Sequence, residues 1–147
     1  MGQVINGVSL TALNIIELSD GNVLHAIKKD DPGFIGFGEA YFSTVNPGAI
    51  KAWKRHNEMT LNLVVPVGKI RFVIFDDRNG STSFGSFYQV TLSKENYMRL
   101  TLPPKVWMGF QCVGNEAAIL LNVANISHAP KEVDKKSIEE INFNWSI

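Results

Sequence analysis

The stretch Leu61-Asn62-Leu63-Val64-Val65-Pro66-Val67-Gly68-Lys69-Ile70-Arg71-Phe72-Val73-Ile74-Phe75 decides the fold class. Two apolar runs, Leu61–Val65 and Ile70–Phe75, flank the turn signal Pro66-Val67-Gly68-Lys69. Each run is short for a helix and rich in the β-branched and aromatic residues that suit a pleated, packed surface. Neither alternates cleanly between apolar and polar residues. Both faces of both strands are therefore expected to be covered.

The same pattern repeats outward along the chain. Upstream lie Val8–Leu18 and Val23–Ile27, split by Ser19-Asp20-Gly21-Asn22, then Gly38–Val45, the break Asn46-Pro47-Gly48, and Ala49–His56. Downstream, the polar segment Asp76–Ser81 precedes Ser86–Leu92, Met98–Leu102 and Ala117–Ala124, with Pro103-Pro104 and Gly114-Asn115 as breakers. About nine short strands separated by turn signals predict an all-β domain of two packed antiparallel sheets, a β-sandwich or jelly roll. Helix is expected to be minimal: a short turn at Asp30-Asp31-Pro32-Gly33 and one late helical turn over Val133–Ile141. There is no linker or low-complexity tract, so residues 1–147 read as one domain.

Composition narrows the function classes. Apolar residues make up 45% and charged residues 19% of the 147, which suits a packed domain and excludes disorder as the default. Fourteen Lys+Arg balance fourteen Asp+Glu, so a broad electrostatic grip on nucleic acid is not expected. The single cysteine, Cys112, reads as a small buried apolar residue, and nothing argues for an oxidising compartment. No apolar run approaches the ~20 residues of a membrane span, and the first residues lack the character of a signal peptide. The expected location is the cytoplasm, with no membrane partner.

Four segments, in order, carry a family resemblance. Gly48-Ala49-Ile50-Lys51-Ala52-Trp53-Lys54-Arg55-His56 resembles G-V-L-R-G-L-H-Y-Q, and Asp76-Asp77-Arg78 with Ser83-Phe84-Gly85 resembles D-L-R…T-F-G. Leu92-Ser93-Lys94-Glu95-Asn96 is similar to L-S-x-E-N, and Leu102–Phe110 is similar to I-P-x-G-F-A-H-G-F. Together they resemble the dTDP-4-dehydrorhamnose 3,5-epimerase family of cupin-type jelly rolls. The resemblance implies a sugar-nucleotide epimerase or isomerase that uses no cofactor and pairs as a homodimer. It also implies where chemistry differs. The family's proton-abstracting histidine falls at Lys54 and its second-segment histidine at Met108. Its opposing acid, a tyrosine, falls at Leu121, and a lysine near the substrate carbonyl falls at Leu61.

Lys54 and His56 are two apart in a strand-like run, so both side chains project from the same face. In a cavity, one of them can serve as base and the other as the cation facing a developing enolate. The competing reading is a solvated basic edge formed by Lys51, Lys54, Arg55 and His56. Lys51 and Arg78 stand where the resembling enzymes carry arginine, which suits a diphosphate; a salt bridge to Asp76-Asp77 is the alternative for Arg78. Tyr41, Phe42 and Trp107 are candidates for stacking on a base or sugar ring, or for core. Asn62 and Asn122 complete the substrate-binding candidates. The histidines and acids do not assemble a three- or four-ligand metal set, so no metal is expected. Three functions remain open: an enzyme acting on a nucleotide-linked keto sugar, a non-catalytic cupin that binds a sugar or sugar nucleotide as a sensor or as partner of a larger enzyme, or a cupin isomerase with another kind of substrate.

Overall fold

The computed structural model describes residues 4–147. In chain order the strands are β1 (Ser9–Ala12), β2 (Ile15–Ile16), β3 (Val23–Leu24), β4 (Glu39–Val45), β5 (Ile50–His56) and β6 (Leu61–Val67), then β7 (Ile70–Phe75), β8 (Phe87–Leu92), β9 (Met98–Leu102), β10 (Trp107–Cys112), β11 (Ala118–Ala124) and β12 (Val133–Lys135). They form two five-stranded sheets, ordered β1-β9-β6-β11-β4 and β12-β5-β10-β7-β8, and a small β2-β3 pair. The pairings within them are antiparallel. This is the expected jelly roll.

The deciding stretch supplies one strand to each sheet. Strand β6 lies at the centre of the first and β7 inside the second. The chain changes sheet at Gly68, whose φ of +82° favours glycine. A Cβ there would also lie 2.7 Å from Ala118 Cα. Pro66 falls where β6 slips against β11, from Val64 opposite Leu121 to Val67 opposite Ile119. A bulge is a place where a sheet tolerates a missing donor.

Period-two geometry then sorts the side chains. Leu61, Leu63 and Val65 of β6 and Ile70, Phe72 and Ile74 of β7 fill the core between the sheets. The opposite faces are covered as well, as the poor alternation predicts. Behind β6, Asn62 accepts from Arg99 Nε (3.1 Å) and Thr101 Oγ1 (2.6 Å) and donates to Gly33 O (3.0 Å). The wholly buried Arg99 reaches on to Ala26 O (2.9 Å) and Pro32 O (2.7 Å), which ties the loop before β4 across the sheet. Behind β7, Val73 packs with Trp53, Trp107, Ile141 and Trp145 beneath the C-terminal segment. Full burial of one such aromatic is worth roughly 4 kcal/mol at ~25 cal/mol per Å². Both faces are thus covered within one chain, with no second copy needed for it.

Two local expectations are corrected, and one strand is added. The run Val133–Ile141 is not one helical turn: Val133–Lys135 pairs with Lys54–His56 as β12, and only Ile138–Glu140 is a 3-10 turn. The open edge of β5 offers Val133 a ladder, and a β-branched residue takes it readily. Asp30–Gly33 forms turns rather than helix, with Asp31 Oδ2 accepting from Lys28 N at 2.8 Å. Trp107–Cys112 is a strand that the breakers around it hide. Its Gly109 is required by packing, since a Cβ would meet Ala52 Cβ at 2.8 Å and the Trp145 ring at 2.9 Å. Cys112 is buried, and its thiol donates to Glu116 O at 3.3 Å.

Candidate active site

Strand β5 carries three of the candidate residues, Lys51, Lys54 and His56. Met108 pairs with Lys54 and Phe110 with Lys51, so two steps along β10 span three along β5. That bulge turns Lys51 and Lys54 to one face although they are three apart. His56, two past Lys54, joins them. The three line a cavity of about 350 Å³ between the sheets, with Met108 and Phe110 on the same wall. The opposite wall belongs to the first sheet: Tyr41 and Ser43 of β4, Leu61 of β6, and Leu120 and Asn122 of β11. A larger depression of about 430 Å³, at the turn with Lys69, Lys94, Glu95 and Glu116, is more open and has no histidine.

His56 is built into place. Its Nδ1 lies 2.5 Å from Oε1 of Glu132, whose side chain is 1% exposed. The other carboxylate oxygen accepts backbone N–H groups of Asn57 (3.1 Å), Glu58 (3.0 Å) and Met59 (3.2 Å). Burial pushes the Glu132 pKa up. The hydrogen bond from His56, the N–H of Glu58, the His56 charge and the N–H of Met59 outweigh it and hold the group below its ordinary value. An ionised carboxylate beside Nδ1 keeps the proton there, so Nε2 carries the lone pair. Glu132 escapes a sequence reading because it lies 76 residues from its partner, just before β12.

Lys54 lies on the same wall of the cavity. Its pKa is lowered by partial desolvation, then by the like charges of Lys135 and Lys51, against an opposing pull from Glu132. Beyond Lys54 a second hollow of about 350 Å³ opens between His128, Pro130, Val133 and Lys135. Across the cavity, Tyr41 has its pKa raised by desolvation and by Glu39. The arrangement places a base, an ammonium group and a phenol around one space large enough for a sugar.

The sequence profile of a family described as dTDP-4-dehydrorhamnose 3,5-epimerase matches residues 49–146. The chain belongs to that family. A dTDP sugar isomerase from Desulfovibrio desulfuricans G20 superposes with a TM-score of 0.93 at 41% identity, covering 96% of this chain and 92% of that one. The probable low-salt glycan biosynthesis epimerase Agl13 of Haloferax volcanii is 27% identical over 136 residues, 91% of this chain and 87% of its own. The spore coat polysaccharide biosynthesis protein SpsL of Bacillus subtilis is 27% identical over 147 residues, 97% of either chain. The chain is therefore a sugar-nucleotide epimerase-like protein.

Within this family frame, the sequence candidates divide by location. Lys51, Lys54, His56, Tyr41 and Asn122 meet at the cavity. Asn62, Arg78 and Trp107 are placed elsewhere. Asn62 lies behind β6 in the Arg99 network. Arg78 is held by wholly buried Asp76, from Nε to Oδ1 at 2.8 Å and from Nη2 to Oδ2 at 3.0 Å, and also reaches Asn6 O. Trp107 packs behind the second sheet, donating to Asp77 Oδ2 at 2.9 Å, with the Arg55 guanidinium 4.7 Å from its ring. Arg55 itself pairs outward with Asp134 at 2.7 Å, so the basic run of β5 is split by the pleat. Leu121, between the cavity residues Leu120 and Asn122, is on the opposite face of β11, whereas Met108 and Leu61 do line the cavity. Among the described residues no group of three His, Cys, Asp or Glu side chains is placed to hold a metal, and no helix is long and apolar enough to cross a membrane.

Proposed function

We propose that the protein binds a nucleotide-linked keto sugar in this cavity and isomerises it by removing a proton from the carbon next to the ketone. His56 is the base, through Nε2. Glu132 positions the ring and stabilises the imidazolium that forms. Lys54 faces the oxygen on which enolate charge develops, where a fixed cation in a partly dry site lowers the barrier. The diphosphate lies over Lys51 and Lys135, lysines with no ion-pair partner among the described residues. Asn122 supplies a hydrogen bond to the sugar.

One observation carries the reading: a histidine on the cavity wall held by a buried carboxylate. That pair sets an oriented imidazole against the cavity, which favours an enzyme over a non-catalytic cupin. A dTDP sugar is the first substrate to try, given the dTDP sugar isomerase at 41% identity. The experiment incubates the protein with dTDP-4-keto-6-deoxyglucose in heavy water and follows deuterium entry next to the ketone by NMR. Exchange that disappears in His56→Ala supports the assignment; exchange unchanged in that variant moves the base elsewhere. The working unit is proposed to be a homodimer. Strand β4 ends the first sheet, and Phe42 on it is 69% exposed near exposed Phe37 and Ile35, an edge that a second copy covers.

A further inference from the structure

Glu132 is held at its main chain as well as at its carboxylate, and Asn57, the residue after His56, contacts both. The Asn57 N–H donates to Glu132 O at 2.7 Å and to Oε2 at 3.1 Å. Its carboxamide Nδ2 donates to Glu132 O at 3.1 Å and to Asp134 Oδ2 at 3.0 Å. That aspartate oxygen also accepts from Arg55 Nε at 3.2 Å and Nη2 at 2.7 Å. The Asn57 hydrogen bond, ahead of Arg55, holds the Asp134 carboxyl below its ordinary value, so an amide meets an anion there. Strand β12 has three residues and lies at the edge of its sheet, so few ladder bonds fix it. Beyond its far end, Trp53 and Lys136 exchange N–H···O bonds of 2.9 and 3.1 Å. The end next to Glu132 is tied by Asn57.

From this arrangement we infer that Asn57 is a positioning residue. Its carboxamide ties the Glu132 main chain to Asp134, keeps Oε1 of Glu132 on Nδ1 of His56, and so fixes the imidazole tautomer. The inference rests on the proposed His56 chemistry for its effect on rate. A glutamate side chain has several rotatable bonds, and anchoring its carbonyl as well as its carboxylate leaves Oε1 little freedom. With the main chain loose, Oε2 can keep the N–H groups of residues 57–59 while Oε1 swings off the ring. Nδ1 then lacks a fixed acceptor, and the proton divides between the two ring nitrogens. Asn57 stands outside the cavity wall, so it acts through Glu132 and touches no substrate. Its loss should therefore reach the chemical step and leave substrate contacts as they are.

The test compares wild type, Asn57→Ala, Asp134→Ala and Asp134→Asn by ¹⁵N NMR of the imidazole and by deuterium exchange into dTDP-4-keto-6-deoxyglucose in heavy water. Thermal melts confirm that each variant folds. Expected in Asn57→Ala is a His56 ring of mixed tautomers near neutral pH. Its exchange kcat should fall by about 10- to 100-fold, the usual weight of a residue that orients a reacting ligand, with KM within about threefold of wild type. Asp134→Ala should match it, and Asp134→Asn, which keeps an acceptor for Nδ2, should recover most of the wild-type tautomer. The double variant Asn57→Ala/Asp134→Ala should lose no more than either single one, as members of one network do. A purely structural role lowers Tm and leaves the ring unchanged, so a wild-type tautomer in Asn57→Ala overturns the inference. A loss confined to KM, or additive losses in the double variant, overturns it too. The spectrum needs no substrate: a wild type without exchange removes His56 as base, while the tautomer still decides the role of Asn57.

Discussion

Replacing Glu132 by glutamine separates the positioning of His56 from the shape of the site. The wild-type carboxylate accepts four hydrogen bonds, from His56 Nδ1 at 2.5 Å and from the backbone of Asn57, Glu58 and Met59 at 3.1, 3.0 and 3.2 Å. Glutamine keeps the volume but has only one acceptor oxygen. If that oxygen stays on the three backbone groups, the amide N–H₂ faces Nδ1, and the histidine must carry its proton on Nε2. The base is then in the wrong tautomer, a fault worth about 10⁴-fold in a serine-protease triad. Losing the charge from these bonds costs about 1 kcal/mol for each of two or three of them, roughly 3 kcal/mol in all. For a chain of this length that lowers Tm by about 6–12 °C. The pH sign follows from the depressed pKa of Glu132. Its stabilisation is fully present above the ordinary glutamate value of 4.5 and is lost as pH falls through the lowered folded value. Wild type and Glu132→Gln are therefore expected to differ most near neutrality and to converge in acid. Thermal melts across pH, with ¹⁵N NMR of the imidazole, read both effects without any substrate. An unchanged tautomer together with a Tm loss under 2 °C would refute the positioning role.

Three other outcomes are expected. The Lys54 ammonium should titrate below its ordinary value of 10.5, and Lys135→Ala should move it back up, since Lys135 is the strongest like charge acting on it; a Lys54 midpoint insensitive to Lys135 in an NMR titration argues against the cluster. Asp76 is wholly buried and takes hydrogen bonds from Arg78, Ser81 and Ser83, so Arg78→Ala should cost about 3–5 kcal/mol in urea unfolding by stranding that carboxylate, whereas a loss below 1 kcal/mol contradicts it. Light scattering at micromolar concentration should give twice the 16.3 kDa chain mass, and Phe42→Glu should shift it to monomer; a wild-type monomer rejects the β4 edge as an interface.

Much of the architecture is legible in short-range pattern, because strand formation and burial are local demands on residue type. Runs such as Ile70–Phe75 and Met98–Leu102 match the observed strands end to end, and poor alternation in β6 and β7 announces cover on both faces. The spacing of Lys54 and His56 likewise puts them on one face of a strand. Pattern cannot say what lies opposite. The bulge that brings Lys51 into line depends on β10, whose Gly109 leaves room for Ala52 and the Trp145 ring. Arg78 and Asn62 read as ligand-binding residues because their charge and polarity are visible in sequence, while the buried groups that engage them are not. Glu132 is the clearest case. It stands in an unremarkable Pro-Lys-Glu turn, and only the pairing of β12 with β5 sets its carboxylate against His56. Which residues can do chemistry was thus written in the sequence by type and period. Which of them meet was decided by tertiary structure, because each strand's partners come from far along the chain and hydrogen-bond geometry, not sequence distance, fixes who faces whom.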